Sequence, residues 1–125
     1  MTTTSPLAGT NLAVLVGTLS REPELRALPS GSTLLALELT VRAPDAAAES
    51  VPVAWPDPPG AAAGWAPGDE LLVVGRTRRR FFRAGGSTQS RTEVVAARVV
   101  PTRRRASAAK ALAAALAPLA PRPPG

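Results

Sequence analysis

The chain has 125 residues and a mass of 12.8 kDa, the size of a single domain. Apolar residues make up 45% of it, which is enough for a packed core, and it contains neither cysteine nor histidine. This composition excludes disulfide frameworks, zinc sites built on Cys or His, thiol nucleophiles and Ser-His-Asp triads. An acid–base or metal site made of carboxylates alone stays open.

The charge is divided unevenly along the chain. The net charge is +6, but residues 1–75 carry three arginines and eight acids, whereas residues 76–125 carry eleven arginines, Lys110 and one acid, Glu93. This polarity indicates a polyanionic partner, either nucleic acid or an anionic membrane surface. A GC-rich genome would account for the preference for arginine over lysine, but it does not account for the clustering.

The first residues and the apolar runs of the chain predict neither a signal peptide nor a membrane span. Met1–Ser5 has no basic segment leading into an apolar one, so no signal peptide is predicted. No run of about 18 apolar residues predicts a membrane span. We expect a cytoplasmic protein that does not bind membranes, with a flexible segment at residues 1–10.

The first third of the chain predicts two strands. Asn11–Ser20 is rich in β-formers, and Gly17 within it predicts a bend or bulge. Arg21–Ser32 is interrupted by prolines and a glycine and predicts a turn-rich connection. Thr33–Arg42 alternates leucine and valine with polar residues, which predicts a strand with one buried face.

The middle and end of the domain predict three more strands. Val51–Trp55 predicts a short strand, and Pro52 favours an edge or a strand start. Ala61–Trp65 predicts one helical turn. Strands over Asp69–Phe82 and Arg91–Val100 are predicted to form a long hairpin around a flexible loop at residues 84–90. Five short strands with this order favour an all-β, five-stranded Greek-key barrel over residues 11–100, because closure removes the sheet edges.

Residues 101–125 form a basic, Ala/Pro-rich tail. Ser107 is predicted to cap a short helix over residues 108–117, and the proline-rich end is predicted to be disordered. Leu112 and Leu116, with Leu119 nearby, give this helix a thin apolar stripe.

The main candidate site is Arg76–Arg83, RTRRRFFR. In a strand, Arg76, Arg78, Arg80 and Phe82 would share one face, and the intervening residues the other. Cations interleaved with an aromatic ring suit single-stranded nucleic acid, since guanidinium groups pair with phosphates and a ring stacks on an unpaired base. The alternative is a solvated hairpin, with Phe81 as a barrel or subunit-interface residue. Trp55 is either a second stacking platform or part of the core rim, and packing is favoured for Trp65.

These segments resemble the bacterial single-stranded DNA-binding proteins. Gly17–Arg26 (GTLSREPELR), followed by Leu28–Gly31 and the alternating strand, is similar to the start of that family's domain. Val51–Trp55, Gly68–Arg76 (GDELLVVGR) and Arg91–Val95 are similar to its third, fourth and fifth strands. The resemblance implies an OB-fold barrel that binds single-stranded DNA.

The resemblance also implies which residues contact DNA. Phe82 matches a position that often carries a stacking aromatic, Trp55 lies at or next to another, and Arg42 ends the strand near a third. Ala43–Asp45 and Ser50 stand where other members have aromatic residues, so weaker binding with a larger share from arginine is expected. The candidate DNA-binding residues are Arg42, Trp55, Arg76, Arg78, Arg80, Phe82, Arg83 and Arg91.

Other features depart from the family pattern. The helix between the third and fourth strands is shortened to Pro56–Gly68, and Pro121–Gly125 carries no acidic tip of the kind that recruits replication and repair enzymes. The resemblance therefore implies a divergent or accessory member that acts in replication, repair or recombination. It also implies a homo-oligomer, and a tetramer is the usual form in the family.

Two functional hypotheses follow. The first is a non-catalytic binder of single-stranded DNA that needs no cofactor or metal. The second is an OB-fold adaptor that works mainly through protein partners or assembly, with the tail as its contact element. An enzyme is disfavoured because the only close acid pairs, Glu22/Glu24 and Asp69/Glu70, lie in or beside predicted turns, where acids are common.

Overall fold

The computed structural model describes residues 5–119, in which six β-strands and one α-helix form. The strands are β1 (Ala13–Leu19), β2 (Glu24–Ala27), β3 (Thr33–Val41), β4 (Glu49–Pro56), β5 (Glu70–Ala84) and β6 (Ser87–Pro101), and the helix is α1 (Arg105–Leu116). Short 3-10 turns span Gly60–Gly64 and Ala117–Leu119. Within the described residues, no helix is long and apolar enough to cross a membrane.

The strands close into a barrel. Their order in the sheet is β1-β5-β6-β4-β3-β2, and an additional pairing of β1 with β3 closes the ring. Thr18 makes the closure, because it pairs with Glu70 of β5 and also with Thr40 of β3. Every pairing is antiparallel except that of β4 with β6, which is parallel at Val53 and Ala54. This is the OB fold, and the predicted five-stranded barrel is confirmed as β1, β3, β4, β5 and β6.

The core follows from the alternation of the strands. The buried face of β3 carries Leu35, Leu37 and Leu39, which are at most 4% exposed. They pack with the inward side chains of the other barrel strands, including Leu71 and Val73 of β5. A smaller cluster lies outside the barrel, where Ala111 of α1 packs against outward residues of β5 and β6. The helix is thereby fixed to the barrel, and this contact explains why so short an Ala-rich segment is helical.

The additional strand, β2, lies where the sequence predicts only a turn-rich connection. It pairs with the edge of β3 from Glu24↔Ala36 to Ala27↔Thr33. All four of its residues are exposed, so it has no buried face and no alternating pattern that would predict a strand. Gly31, with φ of +88°, allows the tight turn between β2 and β3.

Two predictions about backbone irregularities need correction. The register is regular at Gly17, which pairs with Leu71, and the bulge lies instead between Val74 and Gly75. Gly17 is required for a different reason, since an added Cβ would lie 2.7 Å from the carbonyl oxygen of Thr40. Pro52 is not on an edge strand, because β4 lies between β3 and β6. It is tolerated there because the parallel pairing with β6 begins one residue later, at Val53.

The hairpin loop is shorter than predicted. Strand pairing continues to Ala84↔Ser87, so only Gly85 and Gly86 form the turn, with φ of +59° and +82°. Two central residues with positive φ are typical of the type I′ turn, whose twist matches that of the flanking strands. The hairpin is therefore paired along its full length rather than ending in a loose loop.

The tail helix also begins earlier than predicted. It runs from Arg105 to Leu116, its N-cap residue is Arg104, and no side chain caps it. Ser107 thus lies within the first turn and is not the cap, since packing of Ala108 and Ala111 on the barrel decides where the helix begins. The proline-rich end predicted to be disordered begins at Pro118, but Pro118 and Leu119 belong to the second 3-10 turn. Residues 120–125, and residues 1–4 of the predicted flexible start, lie outside the described residues.

Candidate nucleic-acid interface

One face of the β5–β6 hairpin collects most of the predicted site residues. Directly opposed residues on antiparallel strands point to the same side of the sheet. Phe82 is opposite Gln89, Arg80 is opposite Arg91, and Arg78 is opposite Glu93. The hairpin therefore presents Arg78, Arg80, Phe82 and Arg91 on one side, as the alternation predicts.

Two further arginines join this side from the beginning of the chain. Arg21, which follows β1, and Arg26 of β2 line a depression of about 150 Å³ together with Arg80, Phe82 and Arg91. We call the surface formed by Arg21, Arg26, Arg78, Arg80, Phe82 and Arg91 the front face. It consists of one partly exposed aromatic ring among five cations.

Arg80 and Arg91 are the cations without acidic partners on the front face. They are directly opposed across the ladder, and among the described residues neither has a carboxylate within salt-bridge distance. Like charges in this position are destabilising by about 0.2–1 kcal/mol. The arrangement is unfavourable for the free protein and becomes favourable when a phosphate lies between the two guanidinium groups.

The other three cations of the front face are held by acids. Arg21 Nη2 lies 2.5 Å from Glu38 Oε2, and Arg26 Nε lies 3.3 Å from Glu24 Oε1. The hydrogen bond and positive charge of Arg26 lower the pKa of Glu24 below its usual value. These exposed pairs are weak in water, so the arginines can exchange carboxylate for phosphate at little cost.

Arg78 is held more firmly. Its Nη2 donates a 2.6 Å hydrogen bond to Glu93 Oε1, and Glu93 is only 4% exposed. Among the described residues, Glu93 is the only charged residue that is buried. Its carboxylate anchors Arg78 against the barrel and fixes the base of the hairpin.

The two phenylalanines lie on opposite sides of the hairpin. Phe82 is half-buried in the depression among the arginines. Phe81 is 66% exposed on the reverse side and is opposite Ser90. Arg83 shares that reverse side and donates from Nη2 to the carbonyl oxygen of Gly86 at 3.2 Å. The structure therefore separates Arg83 from the front face.

The remaining predicted residues lie outside the depression. Arg76 is on the same side of β5 as Arg78 but lines another hollow, with Asn11 and Ala97. Arg42 is exposed one residue beyond β3. Trp55 is 8% exposed and its ring is stacked on Trp65, with 5.7 Å between ring centroids and 10° between planes. This burial is the core alternative that the sequence leaves open for Trp55, and it agrees with the packing role expected of Trp65.

Sequence reasoning missed three residues of this region. Arg21 and Arg26 belong to a segment without strand periodicity, so nothing in the pattern assigned them a face. Glu93 carried one usable signal, since it is the sole acid in residues 76–125. An isolated acid in a basic strand pair is expected to lie opposite a cation.

Comparison with solved structures shows an informative likeness. No family model matches the chain, and no curated protein matches it. Among solved structures, it is similar to a deletion mutant of the single-stranded DNA binding protein from Thermus aquaticus, with 29% identity and a TM-score of 0.61. The match covers 74% of this chain and 40% of that protein, so the chain spans well under half of its length. The likeness supports a relationship between this OB fold and that of single-stranded DNA-binding proteins.

Proposed function

We propose that this protein binds single-stranded DNA through its front face, without catalysis. The observation that carries the proposal is the directly opposed couple of Arg80 and Arg91 beside Phe82, which has no acidic partner among residues 5–119. Two guanidinium groups supply donors for phosphate oxygens, and the neighbouring ring supplies a stacking surface for an unpaired base. The similar Thermus protein bears the name of a single-stranded DNA binder, which supports the same conclusion.

Electrostatics is expected to dominate the affinity. The chain has only four aromatic residues, two Trp and two Phe, and one of them lies on the front face. If four to six phosphates are neutralised, log K against log salt should have a slope of about −3 to −4 for a single strand. Stacking on Phe82 would add about 1–3 kcal/mol for one base.

The test is a binding titration followed by fluorescence anisotropy of an end-labelled oligo-dT, at two salt concentrations. A duplex of the same length is the comparison ligand. We expect tighter binding of the single strand and the salt slope given above. Equal affinity for the duplex, or an affinity independent of salt, would contradict the proposal.

The finer expectations rest on the resemblance and are proposals too. They are a role in replication, repair or recombination, a cytoplasmic location at the nucleoid, and a homo-oligomer, with a tetramer as the expected form. Light scattering of the purified protein measures its oligomeric state directly. The comparison does not favour the adaptor alternative.

A further inference from the structure

A second basic and aromatic cleft lies at the other end of β6. It has a volume of about 420 Å³ and is bounded by the 3-10 turn on one side and by the end of β6 with the start of α1 on the other. Its walls include both tryptophans and three arginines: Trp55, Trp65, Arg98, Arg103 and Arg104. None of the three arginines belongs to the front face.

The tryptophan pair forms a rigid aromatic wall. The near-parallel rings of Trp55 and Trp65 stack at 5.7 Å, and Trp65 packs against the barrel core from the C-terminal end of the 3-10 turn. Trp55 is 8% exposed whereas Trp65 is only partly buried, so Trp65 offers most of the accessible ring surface. An aromatic wall of this kind favours contact with a planar base.

The opposite side of the cleft is cationic and only weakly neutralised. Arg103 Nη1 lies 3.9 Å from Asp69 Oδ2, at the limit of an ion pair. Among residues 5–119, Arg98 and Arg104 have no carboxylate within salt-bridge distance. A cleft that is lined by guanidinium groups and an indole ring is complementary to a ligand that carries both a phosphate and a base.

The bulge in the hairpin directs Arg98 outward. The register jumps from Gly75↔Ala96 to Val74↔Arg98, which leaves Ala97 without a partner. This shift buries Val99 in the core and leaves Arg98 exposed at the cleft. Arg98 lies seven positions after Arg91 of the front face, about 23 Å at the rise of an extended strand. That distance is within reach of a strand covering about 4–16 nucleotides, the span of one OB fold.

We propose that this cleft is a second contact site for the same single strand, and that it takes one nucleotide between Trp65 and the couple of Arg98 and Arg104. The inference rests on the proposed function and extends it from a local contact to a path along β6. An acidic peptide is the competing occupant. It would satisfy the arginines but would make no specific use of the ring surface.

The two tryptophans make a selective test feasible. They are the only two in the chain, and both line this cleft, so quenching of their fluorescence reports on the cleft and not on the front face. Anisotropy of a labelled oligonucleotide reports binding anywhere on the protein. Both signals are followed with oligo-dT of about 5 nucleotides, near the lower limit of the span of one OB fold, and of about 20 nucleotides, above its upper limit.

The variant is Arg98→Ala/Arg104→Ala, and the matched control is Arg105→Ala/Lys110→Ala, which removes the same charge from α1 outside the cleft. We expect the long oligonucleotide to quench the tryptophans of the natural protein and the short one to bind with much less quenching. The Arg98/Arg104 variant should lose the quenching and about tenfold in affinity for the long oligonucleotide only. The control should lose about threefold or less for either length, since its charges act only at long range.

Three other results would contradict either the second contact site or the proposed function. Binding of the long oligonucleotide without quenching, and equally by the variant, would show that DNA does not enter the cleft. Stronger quenching by a poly-glutamate peptide than by DNA would assign the cleft to the acidic peptide. A flat anisotropy signal for both lengths at low salt would instead overturn the proposed function together with this extension. Unchanged urea midpoints of the variants exclude unfolding as the cause.

Discussion

The guanidinium group of Arg78 and the carboxylate of Glu93 face each other across the β5–β6 ladder at 2.6 Å, with unequal burial. Side-chain exposure is 44% for Arg78 and 4% for Glu93. The buried charge of Glu93 is therefore compensated mainly by Arg78, whereas Arg78 can still be solvated by water if Glu93 is removed. The pair lies at the base of the hairpin, between the barrel and the front face.

This asymmetry predicts unequal effects of two substitutions. Arg78→Ala leaves a buried carboxylate without a partner and should lower the free energy of unfolding by about 1–3 kcal/mol. Glu93→Gln keeps an oxygen that accepts from Arg78 and removes the buried charge, so a change within about 1 kcal/mol is expected. Urea denaturation of both variants measures this, and an equal loss in the two would contradict the role given to burial.

The opposed arginines predict a trade between stability and binding. Arg80→Ala/Arg91→Ala should raise the free energy of unfolding by about 0.2–1 kcal/mol, because it removes a like-charge couple. The same variant should reduce the salt slope of DNA binding by about 1.4, the share of two phosphates on a single strand. Arg79→Ala, on the reverse side of the same strand, is the control and should change the slope by less than half as much. If the double variant binds DNA as tightly as the natural protein, the front face is not the DNA-binding surface.

The positions of the two phenylalanines predict which ring meets DNA. Phe82→Leu should weaken binding by about 1–3 kcal/mol if a base stacks on this ring. Phe81→Leu should leave the affinity nearly unchanged, because that ring is exposed on the reverse side. Anisotropy titrations of both variants at one salt concentration give the comparison, and a larger loss for Phe81→Leu would reverse the assignment of faces.

The bulge predicts that Gly75 cannot be replaced. A Cβ at this position would lie 2.1 Å from the carbonyl oxygen of Val95, which is backbone and cannot rotate away. Gly75→Ala should therefore destabilise the protein by about 3 kcal/mol or more, the upper range for overpacking. Gly60→Ala, where an added Cβ meets nothing within 4 Å, is the matched control. Thermal unfolding of the two variants checks this, and similar midpoints would contradict it.

The barrel was predictable because its strands repeat a strong physical signal. The alternating leucines of β3 and the apolar run of β5 need one buried face each, and few closed arrangements of five such strands exist. The glycine pair at residues 85–86 also marks its turn locally. β2 and the first turn of α1 escaped prediction because they have no local signal. Every residue of β2 is exposed, and α1 depends on packing against the barrel for its first turn.

By itself, the sequence determined the fold class and the basic character of the hairpin, because side-chain alternation and charge are local properties of a strand. Only the tertiary structure decided which cations act together. Closure of the barrel brings Arg21 and Arg26 beside Arg80 and Arg91, more than fifty residues away along the chain. It also buries Trp55 against Trp65, in a part of β4 where three consecutive residues, Val53, Ala54 and Trp55, are buried rather than alternate ones.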